Sequence, residues 1–156
     1  MINNLEIFLT YQNIFLIANW GVVPFWLLLI FVPNHYVTKF LVQSVLAPLI
    51  LASGYAFIAY KIYLEGNIFE GFNLYLGIED LYTVYANENF LLIFWLHFLS
   101  ISLFIGSWIA RDAQRFFVPK FLTGISLIMT YFSGPIGLII YWFIRIFFSK
   151  KISFYE

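Results

Sequence analysis

The sequence predicts an all-α integral membrane protein: four transmembrane helices in one bundle, with a short interfacial helix between the second and third. Three observations carry that expectation. Of 156 residues, 63% are hydrophobic and 10% charged, against roughly 45–50% apolar and about 25% charged in soluble domains. The sixteen formal charges leave four runs with none, at 14–32, 40–60, 90–110 and 121–144, each long enough for a hydrocarbon core that needs ~20 helical residues. Finally, the alternation that barrel strands require is absent, and only helices or closed barrels satisfy their backbone groups in lipid. The whole chain, 1–156, reads as one domain.

The first run follows Glu6 rather than a basic n-region, and no small-residue cleavage site comes after Val32, so it is expected to remain as a span. Short connections at 33–39 and 111–120 make the first and second runs, and the third and fourth, antiparallel neighbours. The longer connection, 61–89, carries Glu65, Glu70, Glu79, Asp80 and Glu88. Within it Ile78, Leu81, Tyr82 and Tyr85 recur at helical spacing, which predicts an amphipathic helix in the interface. On this topology Lys61, Arg145, Lys150 and Lys151 share a side with both termini, while Lys39, Arg111, Arg115 and Lys120 share the other. Four cations against four leave the positive-inside rule silent. Seven acids on the terminal side against Asp112 alone on the other favour termini on the non-cytoplasmic side of a bacterial inner membrane or a plastid-type membrane.

Small residues at four-residue spacing mark close helix approach in lipid. Ser102, Gly106 and Ala110 form one such stripe, Ser126, Thr130 and Gly134 a second, and Ala52 with Ala56 a shorter third. Pro24, Pro48 and Pro135 lie inside runs and predict bends in three helices, freeing the carbonyls of Trp20, Ser44 and Tyr131. Asn19, Gln43 and Ser44 are the polar groups available to meet them.

His97 is the one ionisable side chain within any run, roughly 4–5 Å from the midplane at 1.5 Å per residue. It shares a helical face with Ser100, Ile101, Phe104, Trp108 and Arg111, opposite the Ser102/Gly106/Ala110 stripe. That position fits either a neutral histidine hydrogen-bonded to another helix or a functional acid or base beside a groove. In either case the imidazole is expected to face protein, with Asn19 or a freed carbonyl as partner. With no cysteine in the chain, disulfides, thiolate metal sites and a thiol nucleophile are excluded. One inward histidine is too few for a di-haem or binuclear metal site, and Asp112, roughly 22 Å along the axis from His97, cannot complete a triad with it. Zero net charge and the absence of a basic run argue against nucleic acid. Arg111 and Asp112 read as an interfacial charge pair.

The stretch from Trp95 through His97, Ser102, Gly106, Ser107 and Trp108 to Asp112, followed by Thr130, Gly134, Pro135, Gly137, Tyr141 and Arg145, resembles the neoxanthin-synthase-like family. These are relatives of the plant abscisic-acid-deficient-four protein. Asn19, Pro24, Trp26, Pro33 and Thr38 fit as well. Where the family has an Asp and an Arg in the third helix, this chain has Ser102 and Ser107. The resemblance implies a four-helix membrane protein that isomerises a carotenoid: a 5,6-epoxide opens and a proton leaves the neighbouring carbon. Such a reaction needs an acid and a base and no redox cofactor. It makes His97 and Asp112 the candidate catalytic residues and Asn19, Ser100, Phe104 and Trp108 the candidate substrate contacts. Pro24, Gly106, Gly134, Pro135 and Arg145 become framework positions. Two rival readings stand beside it: a non-enzymatic pigment-binding or assembly subunit, as a homo-oligomer or within a larger complex, and a small transporter or proton relay.

Overall fold

A computed structural model describes residues 10–64 and 68–149, and among them every regular element is helical. Helix α1 spans Tyr11–Phe31. Thr10 starts it, its hydroxyl accepting from the Asn13 amide at 3.3 Å. Pro33, two residues beyond its end, cannot continue it. A helical turn, α2 (Tyr36–Thr38), passes into a π-turn at Lys39–Gln43 and then α3 (Leu46–Leu64). A 3₁₀ segment (Ile68–Tyr75) and α4 (Ile78–Tyr85) follow. Helix α5 (Glu88–Arg115) begins at Asn87, whose side chain accepts from the Asn89 amide at 3.0 Å. Last come α6 (Lys120–Ser133) and α7 (Pro135–Ser149).

Helix α5 is the axis of the bundle and packs against α1, α3 and α6. Three segments are long and apolar enough to cross a membrane: Tyr11–Phe31, Tyr36–Leu64 and Glu88–Arg115. The protein is accordingly a helical membrane protein. The helix expected between the second and third spans is present as α4, but its buried residue is Val84, while Ile78 and Tyr82 are exposed.

The fourth run does not form one span. It is broken at Gly134 (φ 55°, ψ −89°), near the chain-reversing γ-turn conformation that glycine adopts without steric penalty. Pro135 then opens α7 at the first helical position, where its missing N–H is harmless. Helix α7 folds back on α6 so tightly that a Cβ on Gly137 would meet the Thr130 hydroxyl and amide and come within 2.6 Å of the Ser126 carbonyl oxygen. Ser126 and Thr130 permit this because their hydroxyls donate to Leu122 and Ser126 carbonyls of their own helix at 3.1 and 2.8 Å, leaving no polar group for α7 to satisfy. The tip of the hairpin, Gly134, lies against Ser102 and Phe98, halfway along α5. The sequence pattern concealed this because 24 uncharged residues suit either one span or two short helices.

Both long small-residue stripes are buried seams. Ser102, Gly106 and Ala110 face the interior, Ser126 and Thr130 receive α7, and Gly134 at the turn lies against α5. The Ala52/Ala56 pair is not a seam: Ala56 is exposed, and α3 buries Ala47, Leu51, Ile58 and Ile62 instead. Because a Cβ at Gly106 would sit 2.7 Å from the Trp26 indole, Gly106→Leu is expected to cost at least the ~1–3 kcal/mol of an overpacked core. Thermal melting in detergent checks this; an unchanged midpoint would remove the seam.

The prolines act differently from one another. Helix α1 runs unbroken through Pro24. The second span breaks at Ser44 and Val45, ahead of Pro48, and Val45 holds φ 74°, a left-handed conformation that a β-branched residue rarely takes. Pro48 then falls in the first turn of α3, where proline is tolerated.

Three α5 side chains, each seven residues from the next, brace this irregular stretch. Ser100 Oγ donates to the Pro48 carbonyl at 2.9 Å, Ser107 Oγ to Val42 at 3.3 Å, and Gln114 Nε2 to Pro33 at 3.3 Å. Seven residues are close to two helical turns, so the three donors form one row along α5 that meets carbonyls before, within and after the broken stretch. Gln43 Nε2 shares the Pro33 carbonyl at 2.8 Å, and Ser44 Oγ donates to Phe40.

Candidate functional site

The polar chemistry of the bundle converges where α5 ends and α7 returns. Asp112 and Trp108 lie one turn apart on α5, and Tyr141 and Arg145 one turn apart on α7, so two short faces meet. Tyr141 Oη donates to Asp112 Oδ2 at 2.6 Å and Arg145 Nε to the same oxygen at 2.7 Å. Tyr141 is fully buried, and the side chains of Arg145 and Asp112 are 3% and 11% exposed. The guanidinium lies 4.7 Å from the Phe116 ring centroid, and Trp108 meets Tyr141 edge-on at 5.6 Å. A charge so enclosed persists only when paired and hydrogen-bonded, and here one carboxylate oxygen accepts from a cation and a phenol together.

This cluster corrects two expectations. Asp112 pairs with Arg145, not with its neighbour Arg111, which is exposed. Arg145 lies beside the α5–α6 connection rather than on the Lys61 side, because the hairpin brings it back. Tyr141, named in the sequence only as part of the motif that carries the family resemblance, was not among the candidate site residues; its signal was the four-residue spacing to Arg145.

The expectation for His97 is also overturned, since its side chain is exposed and its nearest ring, Tyr55, is 6.1 Å away centroid to centroid. No hydrogen bond joins it to the described residues. The reason lies in how α5 is covered. One face takes α1 and α6 around Gly106, and another takes the second span along the Ser100/Ser107/Gln114 row. His97, Ile101, Phe104 and Arg111 form the strip left open. Asn19 does not reach His97: its Oδ1 accepts from Trp95 Nε1 at 3.0 Å. Of the expected substrate contacts, Ser100 is buried and braces Pro48, Phe104 is exposed, and Trp108 packs in the polar cluster.

The cavity best suited to a long apolar ligand lies elsewhere, as an open groove of about 510 Å³ between α1 and α3 with Leu96 of α5 at its floor. Ala18, Gly21, Ala47 and Gly54 create it by lacking bulk, and it contains no ionisable side chain. Leu96 and Asp112 are sixteen residues apart, which places groove and cluster about 160° apart around α5 at 100° per residue.

No curated protein and no solved structure matches this chain. A family model, ABA DEFICIENT 4-like, does match over residues 13–141, a range that contains the groove, the hairpin turn and the Asp112–Tyr141 hydrogen bond. The chain belongs to the ABA DEFICIENT 4-like family.

Proposed function

We propose that the protein binds a carotenoid or similarly long isoprenoid in the α1–α3 groove, acting as a pigment-binding subunit within the membrane. The observation that carries this reading is the groove itself: about 510 Å³, apolar along its length, and formed by small residues where a well-packed seam would have filled the space. Such a ligand is recognised by contact area rather than by charge, and nothing in the groove demands a reactive partner.

A second reading, the isomerase-like chemistry implied by the family resemblance, is favoured by a different observation. Asp112 and Tyr141 form a short hydrogen bond, and the Asp112 carboxylate accepts both of its donors on Oδ2. That leaves Oδ1 for a proton, as an acid–base pair for epoxide opening requires. The transporter or proton-relay alternative gains nothing comparable, because His97 has no hydrogen-bonded continuation among the described residues.

Gly21→Leu separates ligand binding from stability, since a Cβ at Gly21 meets nothing within 4 Å. The purified wild type is expected to carry an extractable polyene, and Gly21→Leu to lower its occupancy at least about tenfold, the effect of roughly 1.4 kcal/mol. Equal occupancy in the folded variant refutes the groove. Incubation with an epoxy-carotenoid tests the second reading: turnover slowed ~10²–10⁴-fold by Asp112→Asn is the enzyme's signature, and absence of turnover in the wild type removes it.

A further inference from the structure

The exposed charges of the bundle are sorted by end, and the hairpin is what sorts them. Lys39 follows α1, Arg111 and Arg115 lie in the last turns of α5, and Lys120 opens α6; all four are exposed. Chain direction places them at one end, and the Asp112–Arg145 bond returns α7 to that same end. Asp112, the acid found there among the described residues, is paired with Arg145. At the opposite end the exposed acids Glu79, Asp80 and Glu88 stand with Lys61.

Helices α6 and α7 have 14 and 15 residues, or roughly 21–22 Å each, too short to cross a hydrocarbon core of about 30 Å. Their tip reaches Ser102, near the middle of the 28-residue α5. Their non-helical joint is covered by protein there, as backbone at membrane depth must be.

We propose that the chain crosses the membrane three times, that α6–α7 enters one leaflet as a re-entrant hairpin, and that the basic end lies against the anionic headgroups of the cytoplasmic leaflet. Four spans left Lys and Arg evenly divided. Folding the fourth run back moves Arg145 to the end that already holds Lys39, Arg111, Arg115 and Lys120, and the positive-inside rule then has a direction. Helix α1 begins outside the cytoplasm and α7 ends within it. The buried polar cluster therefore lies at the cytoplasmic end of the bundle.

The chain has no native cysteine, so single cysteines at exposed Ala86, Asn34 and Phe148 report sidedness cleanly. The protein would be expressed in a bacterial inner membrane and treated with a membrane-impermeant maleimide. Ala86→Cys is expected to label from outside, and Asn34→Cys and Phe148→Cys only in inverted vesicles. Lys120→Cys duplicates the second position should Asn34→Cys fail to accumulate. Labelling of Phe148→Cys from the same side as Ala86→Cys would overturn the hairpin, and labelling of Asn34→Cys from outside would overturn the orientation. In a Lys39→Gln/Lys120→Gln background, Asn34→Cys should label from both sides. Undiminished sidedness there would overturn headgroup attraction as its cause. These readouts are independent of any ligand in the groove.

Discussion

Gly137→Ala is expected to unmake the α6–α7 hairpin. One methyl group would be placed 2.6 Å from the Ser126 carbonyl oxygen and in collision with Thr130, atoms that belong mainly to the backbone of the facing helix and cannot rotate aside. The helices must part, which removes the burial of Thr130 and Tyr141 and separates Arg145 from Asp112. The expected loss is about 3 kcal/mol or more, beyond the usual range for an added methylene because rigid backbone rather than a side-chain rotamer opposes it. Gly124 in the same hairpin supplies the control. A Cβ there meets nothing within 4 Å, so Gly124→Ala should be neutral or stabilising by up to ~1 kcal/mol through helix propensity. Thermal melts of both variants in one detergent decide the matter, and equal midpoints would mean that the hairpin is not so closely packed.

The second large effect is expected at the buried ion pair. Arg145→Met leaves the Asp112 carboxylate with the Tyr141 phenol alone, in a site where little of either side chain reaches solvent. Removing one partner of a buried pair destabilises by about 3–5 kcal/mol, because the remaining charge is uncompensated. Replacing both partners with apolar residues of similar size removes that penalty. Asp112→Leu/Arg145→Met should therefore recover most of the stability lost in Arg145→Met. A double-mutant cycle measured by unfolding midpoints reads the coupling directly, and additive losses would show that the two side chains act independently.

The parts of this fold that were legible in the sequence are those governed by hydrophobic length. The first and third charge-free runs became α1 and α5, and the Gly106 and Thr130 stripes became seams because only small residues let backbones touch. The hairpin was not legible. Gly134 and Pro135 signal a break, but a kinked span and a reversal share that dipeptide, and the difference lies in Gly137 eleven residues from Ser126. His97 misled for a related reason. The cost of a polar group in lipid says that a partner is desirable, not which face of α5 the other helices cover, and they cover the Gly106 and Ser107 faces instead. Ser107, which stands where the family has a charge, supports the Val42 carbonyl of the broken second span, a role visible only once that break is known.

The central claim is that the fourth apolar run reverses and so brings Tyr141 and Arg145 to Asp112. Spin labels at Lys120→Cys and Phe148→Cys test it most directly, since one unbroken helix over that interval would hold the two positions about 42 Å apart at 1.5 Å per residue. Pulsed electron–electron resonance in lipid nanodiscs should give a narrow distribution centred at less than half that distance, as expected for two ends of one hairpin. A distribution centred near the full helical length would contradict the reversal and, with it, the assembly of the polar cluster.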